Sequence, residues 1–183
     1  MGSSRCEIWS IVRVAAETLQ VISIEHNDNV AYPTEGFSLS HIPNLVSFSY
    51  SQKYLNRMDE SAAALELARI HRILNLNGPM QRLETMELKI QSNSMGTPDV
   101  MIDPEAADQW RRIAELLAGP DYASLRKVKI DILFYVVVAY DIDIDMPIFN
   151  ELMTAEMDSC FQNLARSKAG LQLSVDTWVE AVA

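Results

Sequence analysis

The chain of 183 residues carries a formal net charge of −10 at pH 7, and 49% of its residues are hydrophobic. This composition is typical of a folded globular protein and excludes a wholly disordered chain, while the excess of acid disfavours simple electrostatic binding of nucleic acid or anionic lipid. Two cysteines, Cys6 and Cys160, are too few for a disulfide framework, and no apolar run approaches the roughly 18 residues of a membrane-spanning helix. Length and the lack of visible linkers or repeats predict one domain over residues 1–183.

The first part of the chain predicts strands followed by a helix. Residues Ile8 to Ile24 are rich in Ile, Val, Thr and Trp, so we expect one long strand or two paired strands there. Turn residues indicate a loop with a short element over residues 27–44, and residues 45–55 fit either a helix or a strand. From the N-cap candidate Asp59, an apolar stripe at helical spacing runs to Leu74 and predicts a helix.

The rest of the sequence, from residue 86 onwards, predicts alternating strands and helices. Residues 86–91, MELKIQ, alternate apolar and polar side chains as a half-buried strand does. Residues 103–105, Asp-Pro-Glu, form a strong helix start. A central strand begins at Lys127, a helix is predicted from Pro147 to about Ala169, and the alternating LQLSVDTWV at residues 171–179 predicts a closing strand.

The predicted fold class is α+β. Strands are expected at both ends and in the middle of the chain, separated by helices and irregular loops. Such an order indicates a single domain with a mostly antiparallel sheet packed against two to three helices.

Three aspartates that follow the central strand, Asp141, Asp143 and Asp145, have the spacing of the first ligands of an EF-hand calcium loop. Such a loop also needs a glycine at its sixth position and a bidentate Glu at its twelfth, where this chain has Met146 and Leu152. We therefore interpret the aspartates as the acidic exit of a strand, near the start of the next helix.

The sequence contains no recognisable catalytic or metal-binding motif. Its three histidines have no spacing typical of a triad or a metal site, and Cys160 lies on the apolar stripe of its helix. We therefore expect no enzyme activity and no cofactor, although a triad assembled from distant residues stays open. The first residues, MGSSRC, allow lipidation of Gly2 and Cys6, but residue 6 is not the expected Ser or Thr and similar leaders are added for expression.

Basic residues gather in three places, on the first and second clear helices and at the start of the central strand. They are Arg69, Arg72, Arg111, Arg112, Arg126, Lys127 and Lys129. Each cluster alone is most simply solvated surface charge. Two clusters on one face would form a patch for a phosphate backbone or an anionic headgroup.

Three stretches of the chain resemble the matrix proteins of rhabdoviruses. Residues 93–112, NSMGTPDVMIDPEAADQWRR, are similar to the family's Met-Gly-x-Thr-Pro turn and the Pro-Glu pair and arginines after it. Residues 127–152, KVKIDILFYVVVAYDIDIDMPIFNEL, resemble its long strand and the start of its last helix, and residues 166–178, RSKAGLQLSVDTW, its C-terminal strand. The family's basic N-terminal arm with a proline-rich motif has no counterpart, so the resemblance is to a short form.

The resemblance implies a structural protein without an active site. Matrix proteins self-associate into a layer that condenses the nucleocapsid and links it to the inner face of the envelope membrane during assembly and budding. The implied partners are other copies of the chain, the viral nucleoprotein–RNA complex, the inner leaflet of the envelope and the glycoprotein tail. The implied location is the virion, between nucleocapsid and envelope, and the host cytoplasm in membrane-associated form.

A helical layer requires head-to-tail contacts, in which one patch of the surface meets a different patch of the next copy. The candidate self-association residues are Ile8, Trp9, Phe37, Asp141, Asp143 and Asp145. Two alternatives stay open: another viral capsid or nucleocapsid coat protein, and a small cytosolic enzyme or regulatory binding domain.

Overall fold

Strands and helices alternate along the chain in a computed structural model, which describes residues 7–27, 38–53, 61–75, 78–95, 104–137 and 145–182. In chain order the elements are α1 (Glu7–Ala15), β1 (Val21–Asn27), a 3₁₀ helix (Leu39–His41), β2 (Ser47–Lys53), α2 (Ser61–Leu74), β3 (Thr85–Met95), α3 (Pro104–Ala118), a second 3₁₀ helix (Pro120–Tyr122), β4 (Lys127–Val137), α4 (Met146–Ser167) and β5 (Gln172–Val182). The five strands form one sheet in the order β1-β2-β3-β4-β5, and every neighbouring pair is parallel.

The predicted fold class is therefore wrong, because the sheet is parallel and the architecture is α/β. The last three connections between strands contain α2, α3 and α4, and a helical crossover returns the chain to begin a parallel neighbour. The prediction failed because polar and apolar side chains alternate in the strands. This pattern is more typical of antiparallel sheets, which often leave one face in water.

The three crossover helices cover one face of this sheet. Strand order follows chain order, and right-handed crossovers between successive neighbours place every helix on the same side. In agreement, α2 packs against α3 and α3 packs against α4. Alternate strand residues such as Met86, Leu88, Val128 and Ile130 are buried in the core beneath the helices, which we term the helix face.

The opposite side of the sheet, termed the open face, carries the intervening side chains. It comprises, from β1 to β5, Val21, Ser23, Glu25, Ser47, Ser49, Ser51, Thr85, Glu87, Lys89, Gln91, Lys127, Lys129, Asp131, Leu133, Gln172, Ser174, Asp176, Trp178 and Glu180. Each is exposed or partly exposed in the described part of the chain. A parallel sheet with one polar face thus accounts for the alternation that the sequence shows.

A short leucine motif recurs at the start of four strands. The pattern Leu-x-x-apolar-x-apolar begins at Leu19, Leu45, Leu83 and Leu125, and the sheet register aligns these four leucines. The last three are buried in the core. The expectation of no internal repeat is wrong, because the interval between leucines differs from one unit to the next and hides the period.

The backbone hydrogen bonds at the starts of the strands repeat along with the motif. The amides of Val46 and Ser47 both donate to the carbonyl of Gln20. The amides at the equivalent positions of the next two strands donate in the same way, to the carbonyls of Val46 and Glu84. Each unit therefore enters the sheet with the same local geometry, which places the open faces of the strands side by side.

Most predicted elements are confirmed, and the first segment is not. The helices predicted from Asp59, Asp103 and Pro147 are α2, α3 and α4, although Asp59 and Asp103 themselves lie outside the described residues. Residues 45–55 contain β2. Residues 7–15 form α1 where a strand was predicted, because apolar residues also recur there at helical spacing and Val12 packs on the core.

Tyr122 holds the ends of the helices together. Its hydroxyl donates to the carbonyl of Leu74 at 2.5 Å, and Lys168 Nζ donates to the backbone carbonyl of Tyr122. Burial raises the pKa of Tyr122 and lowers the pKa of Lys168. These bonds connect the ends of α2 and α4 through the segment that follows α3.

Candidate functional site

An aromatic side chain stands on the open face near the carboxyl end of β5. Trp178 is 48% exposed, and the strand register places it directly beside Leu133 of β4. The surrounding positions of the open face are mainly polar or charged. A large apolar side chain left in water beside a second apolar residue is typical of a contact surface.

Carboxylates surround this tryptophan. Asp176 and Glu180 precede and follow Trp178 by two residues on the same face of β5, and Asp131 of β4 lies directly opposite Asp176. Like charges in directly opposed positions of a sheet repel one another. Lys129 offsets part of this repulsion, because its Nζ donates to Asp131 Oδ2 at 2.8 Å. That hydrogen bond is the main reason why the pKa of Lys129 is raised.

Several other charged groups near the tryptophan have partners on the open face. Lys89 Nζ lies 3.2 Å from Glu87 Oε1, and Lys129 Nζ lies 4.0 Å from the same oxygen. Asp176 Oδ2 accepts a hydrogen bond from the Ser174 hydroxyl at 2.8 Å. Partly exposed ion pairs contribute at most about 1 kcal/mol each, so a ligand can replace them at small cost.

A cavity of about 640 Å³ lies at this position. Its lining comes from four neighbouring strands, β2 to β5, and from the first turns of α4. Since adjacent strands are about 4.8 Å apart, the cavity extends roughly 14 Å across the sheet. Open-face residues of the lining include Lys89, Asp131, Leu133, Trp178 and Glu180. A concave site with apolar walls and a few polar groups is the usual form of a binding site.

Three polar side chains of this lining lack hydrogen-bond partners within the described part of the chain. Gln52 is only 1% exposed, and both its amide nitrogen and its amide oxygen are buried and unpaired. Asp131 Oδ1 and Asn150 Oδ1 are likewise buried and unpaired. Each such group costs about 1–3 kcal/mol unless a partner is supplied. Gln52 is in phase with the buried Phe48 and Tyr50 on the helix face, and Asn150 belongs to α4 on that side, whereas Asp131 is on the open face, so the three groups do not share one binding surface.

The predicted basic patch is divided between the two sides of the sheet. Two of its clusters lie on the neighbouring helices α2 and α3, and the third begins β4, where Lys127 and Lys129 belong to the open face. Arg111 is paired with Asp108 at 2.7 Å and with Glu156 at 3.1 Å. The structure therefore brings two arginine clusters together, Arg69 and Arg72 with Arg111 and Arg112, and separates them from Arg126, Lys127 and Lys129.

Arg112 illustrates how closely these two helices approach. The pKa of His71 on α2 is lowered by burial and, to a smaller extent, by the positive charge of Arg112 on α3. The arginines of α2 and α3 thus lie in the helix layer, on the other side of the sheet from Trp178.

Few of the candidate self-association residues can be placed. Ile8 and Trp9 belong to α1 rather than to a strand, and their side chains lie outside the described part. Asp145 caps α4, with its Oδ1 accepting the amide of Ile148 at 3.1 Å. The other three, Phe37, Asp141 and Asp143, lie outside the described residues, as do the lipidation candidates Gly2 and Cys6.

Sequence reasoning missed Gln52, Leu133, Asn150 and Trp178. One signal was available, because Trp178 is out of phase with the apolar positions of its own strand, such as Val175 and Val179. The alternation therefore already assigned Trp178 to the polar face. Alignment of the leucine motifs would have shown which residues of the neighbouring strands share that face with Trp178.

Within the described ranges, no group of three or more His, Cys, Asp or Glu side chains is arranged to hold a metal ion. Likewise, no helix in this part of the chain has the length and apolarity to cross a membrane.

No known protein family, curated protein or solved structure matches the chain. Its class is therefore defined by its own fold and site. It is an α/β domain in which strand–helix units follow one another along a parallel sheet, with helices on one face and the half-exposed Trp178 on the other.

Proposed function

We propose that this chain is a protein-binding module that contacts a partner through its open face. The observation that carries the proposal is the half-exposed Trp178, paired with Leu133 inside a cavity on an otherwise polar sheet. Tryptophan is enriched among the few interface residues that contribute most of the binding energy. Proteins built by stacking similar units also use their extended open surface for recognition.

The matrix function stays a prediction, as do its nucleoprotein–RNA, membrane and glycoprotein partners and its virion location. The antiparallel sheet was predicted from the order of the elements, so its correction does not test the matrix function. The expected lack of enzyme activity also stays a prediction. Self-association is a special case of the present proposal, in which the partner is a second copy of the chain.

Peptide selection tests the proposal. A displayed library of random peptides is selected on the purified chain, and the affinity of enriched peptides is compared between Trp178→Ala and the matched control Arg72→Ala. Arg72 is an exposed residue of α2, in the helix layer. We expect Trp178→Ala to weaken binding at least about tenfold, corresponding to about 1.4 kcal/mol, and Arg72→Ala to have no effect.

Both variants must first show the same unfolding midpoint as the unaltered chain. Sedimentation of the chain alone, with and without Trp178→Ala, tests whether the partner is a second copy. Failure to enrich any peptide, or equal affinity of enriched peptides for Trp178→Ala and the unaltered chain, would contradict the proposal.

A further inference from the structure

Strand β5 forms one edge of the sheet, and within the described part of the chain it pairs with β4 alone. The amide of Gln172 donates to the carbonyl of Arg126, which precedes β4. Because successive residues of a strand direct their backbone groups to opposite sides, the amides and carbonyls of Val175, Thr177 and Val179 point away from β4. This outer row of donors and acceptors is available for pairing with one more strand.

The sequence of β5 lacks the features by which proteins protect an exposed edge, which include lysine, proline and bulges. Residues 172–182 contain no lysine, arginine or proline. Their register with β4 is unbroken over the 11 residues of the strand, whereas β1 at the opposite edge has seven residues. The edge of β5 therefore has the length and regularity that suit an extended segment added as a strand.

Two carboxylates of α4 face this edge from the helix side of the sheet. Thr154 of α4 contacts Thr177 of β5, with 2.5 Å between their hydroxyl oxygens, so this side of the helix is turned toward β5. Residues three and four positions apart share one side of a helix. The exposed Glu151 and Asp158 therefore lie on the same side of α4 as Thr154, toward the edge.

Two further carboxylates, Asp176 and Glu180, border the edge on the open face. Basic residues are missing from β5 and from α4 before Arg166, which lies in the last turn of that helix. On the neighbouring strand β4, Lys129 is already bonded to Asp131. An extended segment with lysine or arginine side chains would thus find opposite charge on both faces of the sheet.

Charge disfavours a second copy of the chain at this edge. Two β5 strands paired about a two-fold axis would bring two α4 helices side by side, so that Glu151 and Asp158 of each copy face those of the other. In a head-to-tail arrangement β1 of the next copy would pair with β5, and the register across the sheet would set Glu25 opposite Asp176. Like charges in such positions repel one another.

We infer that the outer edge of β5 binds an extended basic segment of another protein, which joins the sheet as a sixth strand and places its cationic side chains near Asp176 and Glu180 on one face and Glu151 and Asp158 on the other. The backbone hydrogen bonds of the added strand provide affinity, and the four carboxylates select for basic sequences. This edge is a different surface from the open face, so the inference does not depend on the proposed contact through Trp178.

Three synthetic peptides separate the contribution of charge from that of strand addition. Ac-Lys-Val-Lys-Val-Lys-Val-Lys-NH₂, termed the Lys–Val peptide, has both properties. A glutamate analogue keeps the strand propensity with the opposite charge, and an analogue with proline in place of valine keeps the charge but adopts a polyproline helix, which cannot form a strand ladder. Fluorescence anisotropy of the labelled peptides measures binding. We expect the Lys–Val peptide to bind saturably and the other two to bind at least about tenfold more weakly.

Hydrogen exchange locates the bound peptide without any substitution. In the ¹⁵N-labelled chain, the Lys–Val peptide should slow amide exchange at Val175, Thr177 and Val179, whose backbone groups point outward. Exchange at Asp176 and Trp178 should not change, because their amides already face β4. A peptide held by charge alone would not produce this alternation, so its absence would overturn the inference.

A proline at each edge of the sheet tests which strand is used. Val179→Pro removes an outward amide of β5 without removing a hydrogen bond to β4, and it should weaken binding of the Lys–Val peptide at least about tenfold. Ser23→Pro is the matched control on β1, because the amide of Ser47 donates to Gln20 and the amide of Ser23 therefore also points outward. Both variants must keep the unfolding midpoint of the unaltered chain, and equal affinities of the two would contradict the assignment to β5.

The carboxylates of α4 are tested together. Glu151→Gln combined with Asp158→Asn removes charge with little change of shape and should weaken binding of the Lys–Val peptide several-fold. The control, Glu115→Gln at an exposed position of α3, should have no effect. Equal affinities of the double variant and the control would show that these carboxylates do not select the ligand and would overturn the inference.

Two further results would overturn the inference. One is binding of the glutamate or the proline analogue as tight as that of the Lys–Val peptide. The other is concentration-dependent sedimentation of the chain alone, accompanied by the same alternating protection in β5, which would show that a second copy occupies the edge. Neither result bears on library peptides that bind through Trp178, so the open-face proposal is tested separately.

Discussion

Only one of the two carboxylate oxygens of Asp131 has a hydrogen-bond partner within the described part of the chain. Its Oδ2 is bonded to Lys129, while its Oδ1 is buried without a partner and its strand neighbour is another aspartate. A position selected for stability alone would carry a residue that pairs with Asp176, such as threonine or lysine. Destabilising arrangements of this kind are concentrated at functional sites.

His71 provides a residue-level test of how the helices pack. Its pKa lies below the ordinary value of 6.5, first because of burial and second because of the charge of Arg112. We expect Arg112→Gln to raise the pKa of His71 and yet leave it below 6.5, since burial persists. Titration of the histidine ring signals by NMR measures the change, and Arg126→Gln, at the start of β4, is the control.

The same shift makes stability depend on pH. Because the pKa of His71 is lowered in the folded chain, the unfolded chain binds the proton more readily as pH falls through 6.5. The free energy of unfolding should therefore decrease through that range, and the decrease should be smaller in His71→Gln. An unchanged pKa of His71 in Arg112→Gln would show that α2 and α3 do not bring these side chains together.

At the scale of elements, α4 begins at a residue that the sequence suggested for other roles. Asp145 was considered as a calcium ligand and as a self-association residue. In the structure it has extended backbone angles and its carboxylate accepts the amide of Ile148, while Pro147 occupies the first turn. These are the features of a helix N-cap followed by a proline, both of which favour helix initiation.

Removal of this cap has a predictable cost. Asp145→Ala leaves the amide of Ile148 without its partner, so we expect the free energy of unfolding to fall by about 1 kcal/mol. Urea unfolding followed by circular dichroism measures the loss. Asp158→Ala, at an exposed position in the middle of α4, should change stability by less than about 0.5 kcal/mol. An equal loss in both variants would contradict the assignment of Asp145 as the cap.

At the scale of the whole molecule, the aligned leucines test whether the strand–helix units are equivalent. Leu45, Leu83 and Leu125 occupy the same position in three successive units and are all buried. Substitution of each by alanine should lower the free energy of unfolding by about 2–5 kcal/mol, through lost burial and the cavity left behind. Chemical denaturation measures all three.

The control for these variants is Ile148→Ala, whose side chain is 54% exposed on α4. It should lower stability by much less than any of the leucine substitutions. A leucine variant with the stability of the unaltered chain would show that its unit does not share the common core.

Local patterns in the sequence were sufficient to locate most of the individual helices and strands. Caps and apolar stripes located α2, α3 and α4, and alternation located β4 and β5, because these signals act over a few neighbouring residues. They failed for α1, where β-branched residues favoured a strand although the spacing also suited a helix. Propensity is a weak signal that tertiary packing can override.

The direction and register of the strands were decided only by the tertiary structure. Whether a half-polar strand joins a parallel or an antiparallel sheet depends on hydrogen bonds to residues far away in the chain, which no local pattern reports. The candidate site follows from that register. Leu133 lies beside Trp178, and Asp131 lies beside Asp176, because β4 and β5 pair in parallel, with α4 in the connection between them. The residues were visible in the sequence, but their proximity arises from the folding of the chain.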